Sequence, residues 1–414
     1  MIVLSPAKEV IGFALLGGWL GYVGYKLEWH RKPTWLYLAL IAKVLSAWAF
    51  GWLYQAYYCH GDTLKVYLTA ERLAHYLWNA PDIAVALLLR ELSSQWEAIG
   101  WKVFWQDAQL FGYDYEWSEP SNYIFYRLSL PLYIAAGGGY YGMQGLAGII
   151  GGLLSYAAYR RWEHTLGLHP VTAWIWFFLP STLLWTSGLL RDTFAFPLTL
   201  YAAGWIASAR SVKEIQGILA ILILALLRIE GLALAATAGI AFRTARFKVT
   251  FIAAIIGFVL ALGKVLGPWS YLYRSEALSP QLHPEVPEAS VFYLSFEPTF
   301  GGSCVGWAKA LFPALIGPLP WEIRKPFVLL YAIESWGIAV LIGFAIRKLW
   351  QRKAFSARNL ILIGIGLAVL GVVAMAMPYW GTLARQRLYG LYWLLLGLQP
   401  AFYPPAQQRQ DTPS

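Results

Sequence analysis

Between Leu360 and Met377 the chain runs about 18 residues without a charge, enough to cross a hydrocarbon core of roughly 30 Å at about 1.5 Å per residue. Similar stretches recur from the N-terminal region to the last residues. A β-barrel is excluded, because its strands alternate apolar and polar residues over about ten positions rather than running apolar throughout. Composition points the same way: 13% of the 414 residues are charged, against about 25% in a soluble domain. The chain therefore reads as all-α, a polytopic transmembrane helical bundle forming one membrane domain over residues 1–414.

Apolar runs between charged clusters predict eleven crossings, near 10–25, 34–57, 139–158, 171–189, 193–209, 215–227, 231–243, 249–266, 327–346, 359–377 and 388–403. Cytoplasmic loops collect Lys and Arg, so the charges test the orientation. Alternate loops and the C-terminal tail hold sixteen basic residues, from Lys26 to Arg409, against four acidic ones, Glu28, Glu163, Glu214 and Asp411. That side is the cytoplasmic one, which puts the N-terminus outside and the C-terminus inside a bacterial inner membrane. The excess of basic residues thereby reflects topology, and no nucleic-acid partner is implied.

Two outer segments, 59–138 and 267–326, are far longer than ordinary connections of about 4–6 residues. The first carries amphipathic patches around 63–78 and 82–98, where apolar residues recur at three- and four-residue spacing. The second holds the run LSPQLHPEVPEAS and then an apolar piece from Val305 to Leu315. Long outer segments with helices of their own commonly cover a site. Cys59 and Cys304, the only cysteines, fall one in each segment, where an oxidising compartment permits a bridge; two separate buried thiols are the other reading.

Four motifs gather chemistry on the outer side. In PSTLLWTSGLLRD, Arg191 and Asp192 stand where two helices turn, either as an ion pair closing a hairpin or as the charged floor of a cavity. Arg228 and Glu230 occupy a tight turn, and ionisable groups near membrane depth tend to pair or to face water. Arg385 and Arg387, in GTLARQR, are placed to meet lipid headgroups or to grip a phosphorylated ligand as a fork. Asp62 follows the second crossing, placed either to cap the next helix or to act beside a lipid-borne substrate. Asp107, Asp114 and Glu116 are further carboxylates; the D-x-E pair offers oxygen ligands to a divalent cation. No cofactor is otherwise called for. The six histidines show no zinc spacing, no phosphate-loop motif occurs, and the glycines at 145–152 read as close helix packing.

Taken in order, the Gly-Asp-Thr element with Tyr67, the stretch Ser121-Asn122-Tyr-Ile-Phe-Tyr-Arg127-Leu before a Gly-rich helix, PSTLLWTSGLLRD, LLRIEG and GTLARQR resemble bacterial multi-pass proteins of the C-type glycosyltransferase superfamily. The resemblance covers most of 59–390. It implies a sugar transferase that draws on a polyprenyl-phosphate-linked donor at the outer face. Asp62 would be the catalytic acidic residue, and Arg191, Arg228, Arg385 and Arg387 the donor-binding basic ones. Arg-Ile-Glu stands here where that pattern has Arg followed by Pro and an aromatic residue. A polymerase or ligase of lipid-linked glycans, a transporter and a membrane scaffold are the other classes. A transporter would place ionisable groups near the bilayer midplane, where only Lys43, Lys264 and Glu334 lie inside apolar runs.

Overall fold

A computed structural model describes residues 4–29, 33–58, 62–88, 120–208, 215–244, 300–323, 326–376 and 380–402. Every regular element among them is helical. The expected crossing at 249–266, together with Cys59, Asp107, Asp114 and Glu116, lies outside the described residues.

Among the described residues, four helices are long and apolar enough to cross a membrane: Pro6–Leu27, Thr34–Ala56, Val328–Arg352 and Ala357–Met375. They make this a membrane protein, and their flanks carry exposed large apolar side chains such as Val10, Phe13 and Trp19, or Leu330, Ile333 and Val340. The expected bundle of eleven crossings is corrected by this count. Run 171–189 is cut at Leu179-Pro180 into a nine-residue helix and a six-residue one, followed by non-helical Thr186–Leu190. Runs 215–227 and 231–243 give helices Ile215–Leu227 and Ile229–Thr244, about 20 and 24 Å long at the usual rise. The last run gives Leu388–Leu398, eleven residues and all of them buried. A helix apolar on every side is buried, in lipid or in protein, and hydropathy alone does not separate the two. Here Leu388–Leu398 supplies protein core, whereas Ile215–Leu227 keeps Ile215, Leu219, Leu222 and Leu226 exposed.

The helices used below are α1 (Pro6–Trp29), α2 (Thr34–Trp52), α3 (Asp62–Asn79), α4 (Pro81–Leu88), α5 (Pro120–Ala135), α6 (Tyr140–Leu166), α7 (Pro170–Phe178), α8 (Pro180–Trp185), α9 (Arg191–Ser208), α10 (Ile215–Leu227), α11 (Ile229–Thr244), α12 (Phe300–Leu315), α13 (Pro326–Arg352), α14 (Ala357–Ala376), α15 (Trp380–Gln386) and α16 (Leu388–Leu398). They group into two compact units. The first takes in Met1–Tyr156, Leu183–Leu198 and Leu222–Ile229; the second takes in Ala157–Thr182, Thr199–Ile221 and Glu230–Ser414.

In the first unit the glycines set the spacing. A Cβ at Gly142 would stand 2.7 Å from Gly12 Cα, so α1 and α6 meet backbone to backbone, the close approach that small residues permit between membrane helices. Glu9 of α1 then reaches the start of α6, where its carboxylate accepts from the N–H groups of Tyr140 at 2.7 Å and Tyr141 at 3.1 Å. These are donors that a helix cannot satisfy for itself, and the negative charge also suits that end of the helix dipole. The turn feeding α6 contains Gly138 at φ +78°, and Tyr67 Oη of α3 donates to its carbonyl at 3.2 Å. Helix α3 thus packs an apolar face, Leu64, Val66, Tyr67, Ala70, Leu73 and Ala74, at the three- and four-residue spacing read for 63–78.

The second unit packs α14 on α16 in the same manner. A Cβ at Gly366 would lie 2.6 Å from the Leu394 nitrogen, and one at Gly390 would lie 2.8 Å from the Gly366 carbonyl oxygen. Large aromatic side chains fill the remainder. Trp162 Nε1 donates to Leu200 O at 2.9 Å, and its ring meets Trp393 edge-on at 5.7 Å, the arrangement that aromatic quadrupoles favour.

Candidate functional site

The break Thr186–Leu190 is the organising feature of the first unit. All five residues are buried although none is helical, so their backbone groups need partners from elsewhere. Gln144 of α6 accepts from Leu189 N–H at 2.7 Å. Thr193 Oγ1 donates to Gly188 O at 2.5 Å. Lys43 of α2, wholly buried, donates to Thr186 O at 3.0 Å and to Thr186 Oγ1 at 2.7 Å. Glycines on α6 let the break lie flat, since a Cβ at Gly148 would stand 3.1 Å from Ser187 O and one at Gly151 would stand 3.1 Å from Thr186 O. The packing role read for the glycines at 145–152 is met here.

After the break, α9 begins with Arg191, half-buried, and Asp192, 1% exposed. Asp192 pairs with Arg228, which sits in the gap between α10 and α11. Two of the sequence motifs therefore meet. The Asp192 carboxylate is sealed, whereas the Arg228 side chain keeps 14% of its exposure. Asp62, exposed, is the first residue of α3 and lies in its first turn. The next residue, Thr63, hydrogen-bonds Tyr140 at 2.9 Å. Tyr140 and Gln144, one turn apart on α6, both flank Gly51. A continuous set of polar contacts thus runs from the start of α3 to the break.

The second unit holds a different centre. Glu334 of α13 accepts from Ser181 N–H and from Ser181 Oγ, each at 2.5 Å, and from Arg387 Nη2 at 2.6 Å. Arg387 also donates to Ser335 Oγ at 2.7 Å and stacks on the Tyr331 ring, 4.1 Å from guanidinium carbon to centroid. The pair is closed off, with side chains 1% and 3% exposed. Arg387 is accordingly not half of an outward-facing fork with Arg385, which is half-buried in the last turn of α15. Glu230, in the first turn of α11, also belongs to this unit.

Sequence reasoning passed over Lys43 and Glu334 as site residues, although each stood out as an ionisable group inside an apolar run. It also passed over Glu71, which takes Lys8 Nζ at 2.6 Å beside the hydroxyls of Tyr133 and Tyr67. Burial, reinforced by the Glu71 charge, pushes the Tyr67 phenol well above its ordinary value. Cys304 is an exposed free thiol on α12. Among the described residues no three His, Cys, Asp or Glu side chains gather as a set of metal ligands. Comparison of the chain with protein-family models, with curated proteins and with solved structures finds no match.

Proposed function

We propose that this membrane protein is a glycosyltransferase-like enzyme that moves a sugar from a polyprenyl-phosphate-linked donor at the outer face of a bacterial inner membrane. The observation that carries the reading is the polar path within the first unit. It runs from Thr63, the residue after exposed Asp62, through Tyr140 and Gln144 to the buried break, which Arg191 and the Asp192–Arg228 pair follow in the chain. Transfer from a lipid phosphate requires a base for the acceptor hydroxyl proton and cations for the departing phosphate. Asp62 is accessible enough for the first task. Arg191 and Arg228 supply the second, with Asp192 fixing the Arg228 guanidinium in place.

The basic residues Lys26, Arg31 and Lys32, and Arg347, Lys348, Arg352, Lys353 and Arg358, gather at the two short connections between the crossing helices and support an inner position for both connections. Labelling of Ser356→Cys from outside by an impermeant thiol reagent would overturn that orientation. The enzymatic test is a transfer assay on the purified full chain with a panel of polyprenyl-phosphate sugars. Lipid-linked oligosaccharides run beside them, since extension of those instead would favour the polymerase or ligase reading. Asp62→Asn keeps the shape and removes the charge, so the transfer rate should fall about 10²–10⁴-fold. A folded Asp62→Asn protein with full activity would remove Asp62 from the role of base.

A further inference from the structure

Lys43 lies in the middle of α2, a helix of membrane-spanning length, and has no exposed surface. Its ammonium meets Thr186 O, Thr186 Oγ1 and, at 3.5 Å, Ser187 Oγ. Among the described residues it meets no carboxylate. Of the described carboxylates of the unit, Asp192 is committed to Arg228, Glu71 to Lys8 and Glu9 to the start of α6, while Asp62 and Asp82 are exposed. A buried cation held by neutral dipoles alone is far from its most favourable state. Either a counter-charge arrives or the proton leaves.

The surroundings favour an arriving anion. Lys43 points at a stretch of buried, non-helical backbone, which persists at membrane depth where it is enclosed by protein or lines a binding cavity. Gly148 and Gly152 let α6 pack directly along the Lys43 backbone and stem, since their Cβ atoms would come within 3.1 Å of Lys43 O and of Lys43 Cδ. The hydroxyls of Thr186 and Ser187 now accept from the ammonium, yet each also carries a proton that it can turn toward an incoming oxygen. An anion displacing them from Nζ would therefore meet three donors, one of them charged. Three donors converging on one point suit a phosphate better than a planar carboxylate.

We propose that Lys43, with the Thr186 and Ser187 hydroxyls, binds the phosphate of the lipid-linked donor, the break Thr186–Leu190 swinging off the ammonium as the phosphate takes its place. This assignment rests on the transferase reading and adds Lys43 to Arg191 and Arg228 as a cation for the donor's phosphate. The exchange is one of hydrogen bonds alone, with no covalent step.

The test uses the detergent-purified full chain with farnesyl phosphate, farnesol and inorganic phosphate as probes, read by isothermal titration. Wild type should bind farnesyl phosphate and not farnesol. Lys43→Met should weaken that binding at least about 10-fold, while Lys43→Arg should keep most of it. Unchanged affinity in a folded Lys43→Met protein overturns the proposal, and so does a wild type that binds no phosphate. Inorganic phosphate bound as tightly as farnesyl phosphate would overturn the lipid-linked assignment. Should Lys43→Met not fold, the Thr186→Val/Ser187→Ala double variant keeps the ammonium and removes two donors, and unchanged affinity there is equally decisive against it. Transfer by wild type alongside binding indifferent to Lys43 would sink this site and spare the transferase reading. Lys43-dependent binding with no transfer from any donor would do the reverse.

Discussion

Each unit buries an ion pair, and the two pairs are built differently. In the second unit both oxygens of Glu334 are occupied, by Ser181 and by Arg387, and the guanidinium is stacked on Tyr331 with almost no exposure. In the first unit Asp192 is equally buried, yet Arg228 retains some exposure, although both arginines sit between two helices. Lys43, on α2 against that unit's break, has neutral acceptors and, among the described residues, no carboxylate partner. A closed and neutralised pair holds helices together. An incompletely neutralised cluster beside irregular backbone is where a charged ligand gains most by entering. The contrast is the reason for placing the chemistry in the first unit, although both centres look alike as charges in apolar sequence.

The largest expected effect is on the closed pair. Glu334→Gln leaves the Arg387 charge buried without a counter-ion and should cost about 3–5 kcal/mol. Replacing both residues together, as Glu334→Leu with Arg387→Met, should recover most of that loss. Denaturation in detergent measures both, and a double variant no better than the single would show that the pair is more than a structural clamp. Asp192→Asn should cost less, about 1–3 kcal/mol, because Arg228 can turn toward water. Equal losses at Glu334 and Asp192 would erase the difference between the units.

Alkali sharpens the comparison further, because the first unit buries phenols beside a carboxylate. Burial holds the Tyr67 and Tyr133 hydroxyls protonated beyond their usual range, and the Glu71 charge adds to this. A raised pKa stabilises the fold fully below the unfolded value of about 10, and the benefit drains away as pH climbs above it. For one such group the slope there approaches about 1.4 kcal/mol per pH unit. Tyr67→Phe should flatten the fall in melting temperature between about pH 10 and 11; an unaltered slope would exclude Tyr67 as its source. The smallest effect belongs to the Lys8–Glu71 bridge, whose side chains are 40% and 34% exposed. Glu71→Gln should shift stability by about 0–1 kcal/mol, and a larger loss would mark that cluster as a third buried centre.

Much of this arrangement was legible before any coordinates. Arg191 and Asp192, which flank the break and begin the next helix, stood out at a turn between helices in one thirteen-residue motif, PSTLLWTSGLLRD. The number of membrane crossings was not legible, because an apolar run reports burial without reporting what buries it. Leu388–Leu398 is as apolar as a lipid-facing helix and is enclosed by protein instead. The partners of the unusual charges were not legible either. Lys43 finds Thr186 across 143 residues and Glu334 finds Arg387 across 53, separations that no local spacing encodes. An ionisable residue in an apolar run announces that a partner is needed and leaves its identity open.

The Glu334–Arg387 pair also constrains how the chain is made. Helix α13 leaves the ribosome before Arg387 has been synthesised, so it enters the membrane carrying a carboxylate whose counter-ion does not yet exist. A charge at the centre of an inserting helix costs about 2.5–3.5 kcal/mol on the translocon scale. Until Arg387 is made, Glu334 can accept only from Ser181, so the pair that clamps this unit closes after α13 has been synthesised.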